Sequence, residues 1–147
     1  MLKKIKILAI AACGLVASSM ASAGQGKAII SHWGSVAPHN ASYVYVSNIS
    51  ENTVNVKITY YDKDGNALSP STFSNFVASN TQLLPKSSGF VSINTGTWNY
   101  GYAVVEWSNL DGDDDTVALV ANAHRVMDVT TGLRSDLVIQ VNNGQPF

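Results

Sequence analysis

The sequence predicts an all-β protein in which two antiparallel sheets pack face to face. Three observations carry that expectation. Apolar residues recur at every second position over most of the chain, the pattern of strands with one buried and one wet face. Turn-forming residues return roughly every ten positions, as in sandwiches built of short strands. No segment past the N-terminal leader keeps a helical period.

The elements follow in order. The run 54–61 puts Val54, Val56, Ile58 and Tyr60 on one face, with Asn55, Lys57, Thr59 and Tyr61 on the other. Over 101–108, Ala103, Val105 and Trp107 alternate with Tyr102, Val104 and Glu106; over 88–94, Val91 and Ile93 point inward. Strands are also expected over 27–32, 42–48, 116–127 and 137–142, with a weaker one over 76–84. The run 116–127 is apolar on both faces, which places it centrally. Asp62–Asn66 and Leu110–Asp115 are turns, since Asp and Gly accept the backbone angles tight turns require. Pro70 and Pro85 stand where a strand must stop. About seven to eight strands of this kind describe a single immunoglobulin-like antiparallel β-sandwich. Residues 143–147 read as a tail, either loose or with Phe147 packed on the sheet.

Residues 1–23 lie outside that fold. Lys3, Lys4 and Lys6 precede an apolar run from Ile7 to Val16, and the stretch ends in Ala21-Ser22-Ala23. A basic start, a short apolar middle and an A-x-A site form a secretory signal peptide, with cleavage expected after Ala23. The run is short for a membrane span, and no second run reaches that length. Cys13 follows Ile10-Ala11-Ala12 in a lipobox-like setting, but apolar residues continue past it, so lipid anchoring is not expected. The expected product is one domain, 24–147, with a periplasmic or extracellular address.

That product contains no cysteine. Its stability therefore rests on packing and backbone pairing, although export would permit disulfides. Six basic residues face ten acidic ones, a net charge of −4 with neutral histidines. This argues against nucleic acid, whose binding needs a basic face.

The strand motifs carry a resemblance. Lys27-Ala28-Ile29-Ile30, Tyr43 to Asn48, Val54 to Asp62, Leu84-Pro85 leading into Ser88 to Ile93, and Ala118 to Val126 resemble, in that order, the β-sandwich domain of the sensory rhodopsin transducer family and its relatives. The resemblance implies a small sandwich that assembles into oligomers and offers a ligand-binding surface, and it brings no catalytic residues. That family is cytosolic, so the export signal removes any reason to carry over a signalling role.

Chemistry-bearing motifs are few. His32, His39 and His124 are too scattered to suggest a zinc site and read as polar residues at strand ends. Glu106 has no second acid at a defined distance, and no G-x-S-x-G elbow occurs. An enzyme is not expected, nor a resident cofactor. Asp111, Asp113 and Asp115 could offer carboxylates to calcium, although the spacing is not that of an EF-hand loop. The aromatics say more. Trp33, Trp98 and Tyr100 are the candidates for stacking on a sugar or on a partner's apolar surface; Trp107 is expected in the core. The functional expectation is an exported, non-enzymatic structural or protein-interaction module, homo-oligomeric or bound to an envelope protein. The alternative is a carbohydrate-binding or adhesin-like module.

Overall fold

A computed structural model describes residues 24–129 and 133–147 of the chain; the signal peptide expected over 1–23, with Cys13, lies outside the described residues. The fold is an all-β sandwich of two antiparallel sheets. One sheet orders β1 (Gln25–Ser35), β8 (Asn99–Asn109), β3 (Val54–Asp62) and β4 (Ala67–Leu68), with β6 (Gln82–Leu83) also paired to β3. The other orders β10 (Leu133–Gln140), β9 (Leu119–Val129), β2 (Asn40–Asn48), β7 (Ser88–Ile93) and β5 (Thr72–Ser74). Among the described residues the one helical segment is a 3-10 turn, Asn142–Gly144.

Alternation builds the core as the sequence indicates. Val54, Val56, Ile58 and Tyr60 from β3 meet Ala103, Val105 and Trp107 from β8 and Ala28 and Ile30 from β1. From the facing sheet come Val44, Val46, Val91, Ile93, Leu119, Ala121 and Ala123. Tyr60 is fully buried and its hydroxyl has no hydrogen-bond partner among the described residues.

Several boundaries differ from the sequence expectation. β9 begins at Leu119, not 116, because Ala118 and Leu119 donate their N–H groups to the Phe147 carbonyl while Phe147 N–H returns to Leu119. The chain end is thus tied to the sheet. β9 does lie inside its sheet, between β10 and β2, but Asn122 on its outer side is exposed. β10 starts earlier and ends earlier than 137–142. The strand expected over 76–84 shrinks to Gln82–Leu83, because Asn75, Ala78, Ser79 and Asn80 all adopt positive φ, which no strand tolerates.

Two polar devices hold the turns. The buried Asn48 side chain donates to the carbonyls of Asn52, Leu83 and Leu84 and accepts from the Ser50 N–H and hydroxyl, joining two loops through one amide. At the Asp62–Asn66 turn, Gly65 takes φ +84°. There the side-chain amide and backbone N–H of Asn66 bond the Asp62 carboxylate and hold its pKa below the usual range.

The largest departure is Trp33. Ala28 and Ile30 point inward, so strict alternation would send Trp33 outward. A β-bulge intervenes: Ile30 pairs with Ala103 but Trp33 with Gly101, three residues against two. The extra residue flips the face. Trp33 is 1% exposed, lies edge-on to Tyr60 with ring centroids 5.6 Å apart, and donates its indole N–H to the carbonyls of Tyr61 and Tyr102 at 2.9 and 3.1 Å.

Two stability predictions follow from this core. Replacing Trp33 with alanine should cost about 3–5 kcal/mol, read as a lowered denaturant midpoint; a loss under about 1 kcal/mol would show that the indole is dispensable. Burial pushes the Tyr60 phenol above its ordinary value of about 10. Because the folded pKa lies above the unfolded one, the associated stability is present below about pH 10 and is lost as pH rises beyond it. Tyr60→Phe should therefore flatten the alkaline limb of a stability-versus-pH curve. It should also hold or raise stability at pH 7, since a buried hydroxyl without a partner is removed.

Candidate functional site

The outer face of the first sheet carries the site. On β8 and the loop before it, residues two apart point the same way, so Trp98, Tyr100 and Tyr102 form a row. Each stays open to solvent, 49%, 41% and 41% exposed. On the neighbouring strand Tyr61 is in register with Tyr102, and their rings stack 4.9 Å apart and within 10° of parallel. Trp98 and Tyr100 lie 6.3 Å apart at 32°.

The row is held from below. The Trp33 indole bonds the carbonyls of Tyr61 and Tyr102, the two residues whose rings stack on the outside. Gly101 is required between them, since any Cβ there would collide with the Tyr61 carbonyl oxygen. At the end of the row the Arg125 guanidinium, reaching over from β9, sits 4.9 Å from the Trp98 ring centroid, a cation–π contact. Gly34 lies beneath both groups: a Cβ there would stand 2.9 Å from the Trp98 ring and 3.3 Å from Arg125 Cζ. One sheet thus supplies the ring and the other the cation that orients it.

The structure divides the sequence candidates. Trp98 and Tyr100 are brought together. Trp33 is not a stacking residue; the bulge sends it into the core, where it offers no face to a ligand but positions the row. Tyr61, Tyr102 and Arg125 complete the site beyond the three stacking candidates. The period-two pattern already put Tyr102 on an outward face, whereas the Arg125 contact joins the two sheets and has no local signature.

The acidic candidates are not gathered into a cage. Among the described residues no three His, Cys, Asp or Glu side chains converge on a common point, so Asp111, Asp113 and Asp115, which the sequence offered as possible calcium ligands, are not gathered into one group. The physical reason is that Asp115 serves the loop: Asn52 donates to its carboxylate at 3.2 Å and Asn109 to its carbonyl at 3.0 Å. Gly112, at φ +92°, then turns the chain with Asp111 beside it. Glu106 lies on the outer face and pairs with Lys27 at 3.6 Å. His124 faces Asp136 at 3.7 Å on the second sheet. There Tyr43, Tyr45 and Phe90 form a second, smaller aromatic cluster with centroids 5.5–6.3 Å apart.

The Gly34 approach can be tested directly. Gly34→Ala should force the Trp98 ring and the Arg125 guanidinium apart, changing near-ultraviolet circular dichroism and tryptophan emission. The melting temperature should move little, because the Trp98 ring is half exposed and can swing toward solvent without opening the core. Unchanged spectra would show that the two groups do not rest on Gly34.

Comparison of the chain with protein-family models, with curated proteins and with solved structures finds no match. The resemblance to the sensory rhodopsin transducer family remains an expectation carried by the strand motifs alone.

Proposed function

We propose that this chain is an exported, non-enzymatic β-sandwich that works by protein–protein contact in the periplasm or outside the cell, as a homo-oligomer or on an envelope partner. The observation that carries this reading is two ring pairs along β8, Trp98 with Tyr100 and Tyr102 with Tyr61, with Trp98, Tyr100 and Tyr102 each open to solvent. Aromatic residues and arginine are the groups that dominate binding energy at protein interfaces, and they act in clusters. Arg125 stands at the end of this one. Support for export comes from the basic, apolar and A-x-A segments of residues 1–23. The net charge of −4 after that segment speaks against nucleic acid as the partner. No described helix is long and apolar enough to cross a membrane.

A carbohydrate-binding or adhesin-like role is the second reading, favoured by one observation: the Trp98 ring is half exposed beside Tyr100, a pair on which a sugar face could stack.

Light scattering on the processed chain separates the two. The first reading expects a mass above the monomer that falls to the monomer in Trp98→Ala/Tyr100→Ala, with unfolding unchanged. A monomer at every concentration, together with Trp98 fluorescence that shifts on titration with a glycan and loses that shift in Trp98→Ala, would replace it with the second.

A further inference from the structure

β3 is the outermost long strand of its sheet on the side away from β1, and its free edge is covered only in part. β6 pairs with Val54 and Asn55, and β4 with Tyr60 and Tyr61. Between them the edge is open. The direction of its backbone groups follows from one bond: Val56 N–H donates outward to the Thr81 carbonyl at 2.8 Å. Since N–H and C=O groups of alternate strand residues point to the same side, the N–H and C=O of Ile58 also point outward. Among the described residues no strand residue stands opposite Ile58 on that edge. A cleft of about 970 Å³ opens at this gap, bounded by Lys57, Ile58, Leu68, Pro70, Phe73 and Thr81 among others.

We propose that this gap is a binding slot for an extended peptide segment of a partner protein, which adds one antiparallel strand to β3 by pairing with the backbone of Ile58. The chemistry of the segment can be read from its surroundings. A residue directly opposite Ile58 shares its inward face, toward the half-buried Leu68 and Phe73, so it is apolar. Its neighbours point outward, one opposite Thr59 and one opposite Lys57. Across the outer face Lys27, Glu106 and Lys57 lie in one register row, positive, negative, positive. Glu106 is ion-paired with Lys27, and among the described residues Lys57 has no ion-pair partner. The next place in the row calls for a carboxylate. In antiparallel register the segment reads hydroxyl residue, apolar residue, acidic residue, with the acid following the apolar position. Strand addition of this kind draws affinity from main-chain hydrogen bonds and specificity from alternate side chains.

The slot lies at the opposite edge from Trp98 and Arg125, although Tyr61 borders both. The proposal deepens the protein-contact reading by naming a partner chemistry, and its failure is separable, because Trp98→Ala tests only the aromatic row.

The experiment is an NMR titration of the processed chain with the blocked tripeptide Thr-Val-Glu, which spans the open positions 59, 58 and 57. The amide signals of Ile58 and its neighbours should shift in a saturable manner. Methylating the valine nitrogen should weaken binding at least tenfold, since it removes the donor to Ile58. Replacing the peptide's Glu with Lys should weaken it roughly threefold to tenfold, the span expected when an exposed attraction becomes a repulsion. Lys57→Glu, with an unchanged melting temperature, should reverse that preference. The proposal is overturned if the N-methyl peptide binds equally well or if the shifts map elsewhere. It is overturned too if the Ile58 amide shifts on concentrating the protein alone as its mass doubles, which would make the occupant a second copy.

Discussion

A single inserted residue in β1 sets the relation between the core and the outer face. With regular pairing, Trp33 would stand in solvent and the space beside Tyr60 would need another filler. The bulge between Ile30 and Trp33 instead turns the largest side chain of the strand inward. A buried indole gains from an acceptor for its N–H, and Trp33 finds two, the main-chain carbonyls of Tyr61 and Tyr102. The same two residues form the ring stack on the far side of the sheet. Core packing and surface display are thus two ends of one connection, running from the Trp33 ring through the β3 and β8 backbone to the exposed rings.

The parts of this arrangement that were legible in the sequence are those written in local period. The inward faces of β3, β7 and β8 follow from alternation alone, because burial repeats every second residue and the turns between strands are marked by Asp and Gly. What was not legible depends on contacts between distant segments. Nothing near Trp33 announces the bulge, since its determinants are acceptors 28 and 69 residues away. The alternation from Ala28 and Ile30 therefore assigns the wrong face. The region 76–84 read as a weak strand; the positive φ values at 75 and 78–80 go with one bond to another strand, from the Asn75 amide to the Ser88 carbonyl, and one local bond, from the Thr81 hydroxyl to the Ala78 carbonyl. The acidic loop suggested a cation because carboxylates were dense in sequence. Density does not make convergence, and the carboxylate of Asp115 is engaged by Asn52 on another loop.

The two edges of the first sheet are unequal. β1 is eleven residues long and bears its bulge near one end, a feature that twists an edge away from easy pairing. β3 is protected differently, by two short strands that leave a space between them. Long exposed edges invite uncontrolled association, so a strand protected at both ends and open only at Ile58 limits what can pair with it to a segment of a few residues. Along β3 the open length runs from the start of β6 to the end of β4, and both limits trace to turn chemistry. One is the positive-φ run before Thr81; the other is Pro70, two residues past Leu68, where β4 cannot continue.

Rigidity is what makes the aromatic face suited to binding. Ordering a side chain on association costs free energy, about 0.5–1.5 kcal/mol for a mobile one, and rings already held in place avoid most of that cost. Here Tyr61 and Tyr102 restrain each other by stacking, while Trp98 is confined between Tyr100, the Arg125 guanidinium and the bare backbone of Gly34. The cluster on the second sheet differs in kind. Tyr43, Tyr45 and Phe90 turn toward one another at 27–61°, and Tyr43 and Phe90 are only half exposed, so much of their area is already spent within the cluster. Of the two faces, the first combines open aromatic area, a cation and a backbone fixed from within, and a partner meeting it would lose the least conformational freedom in forming contact.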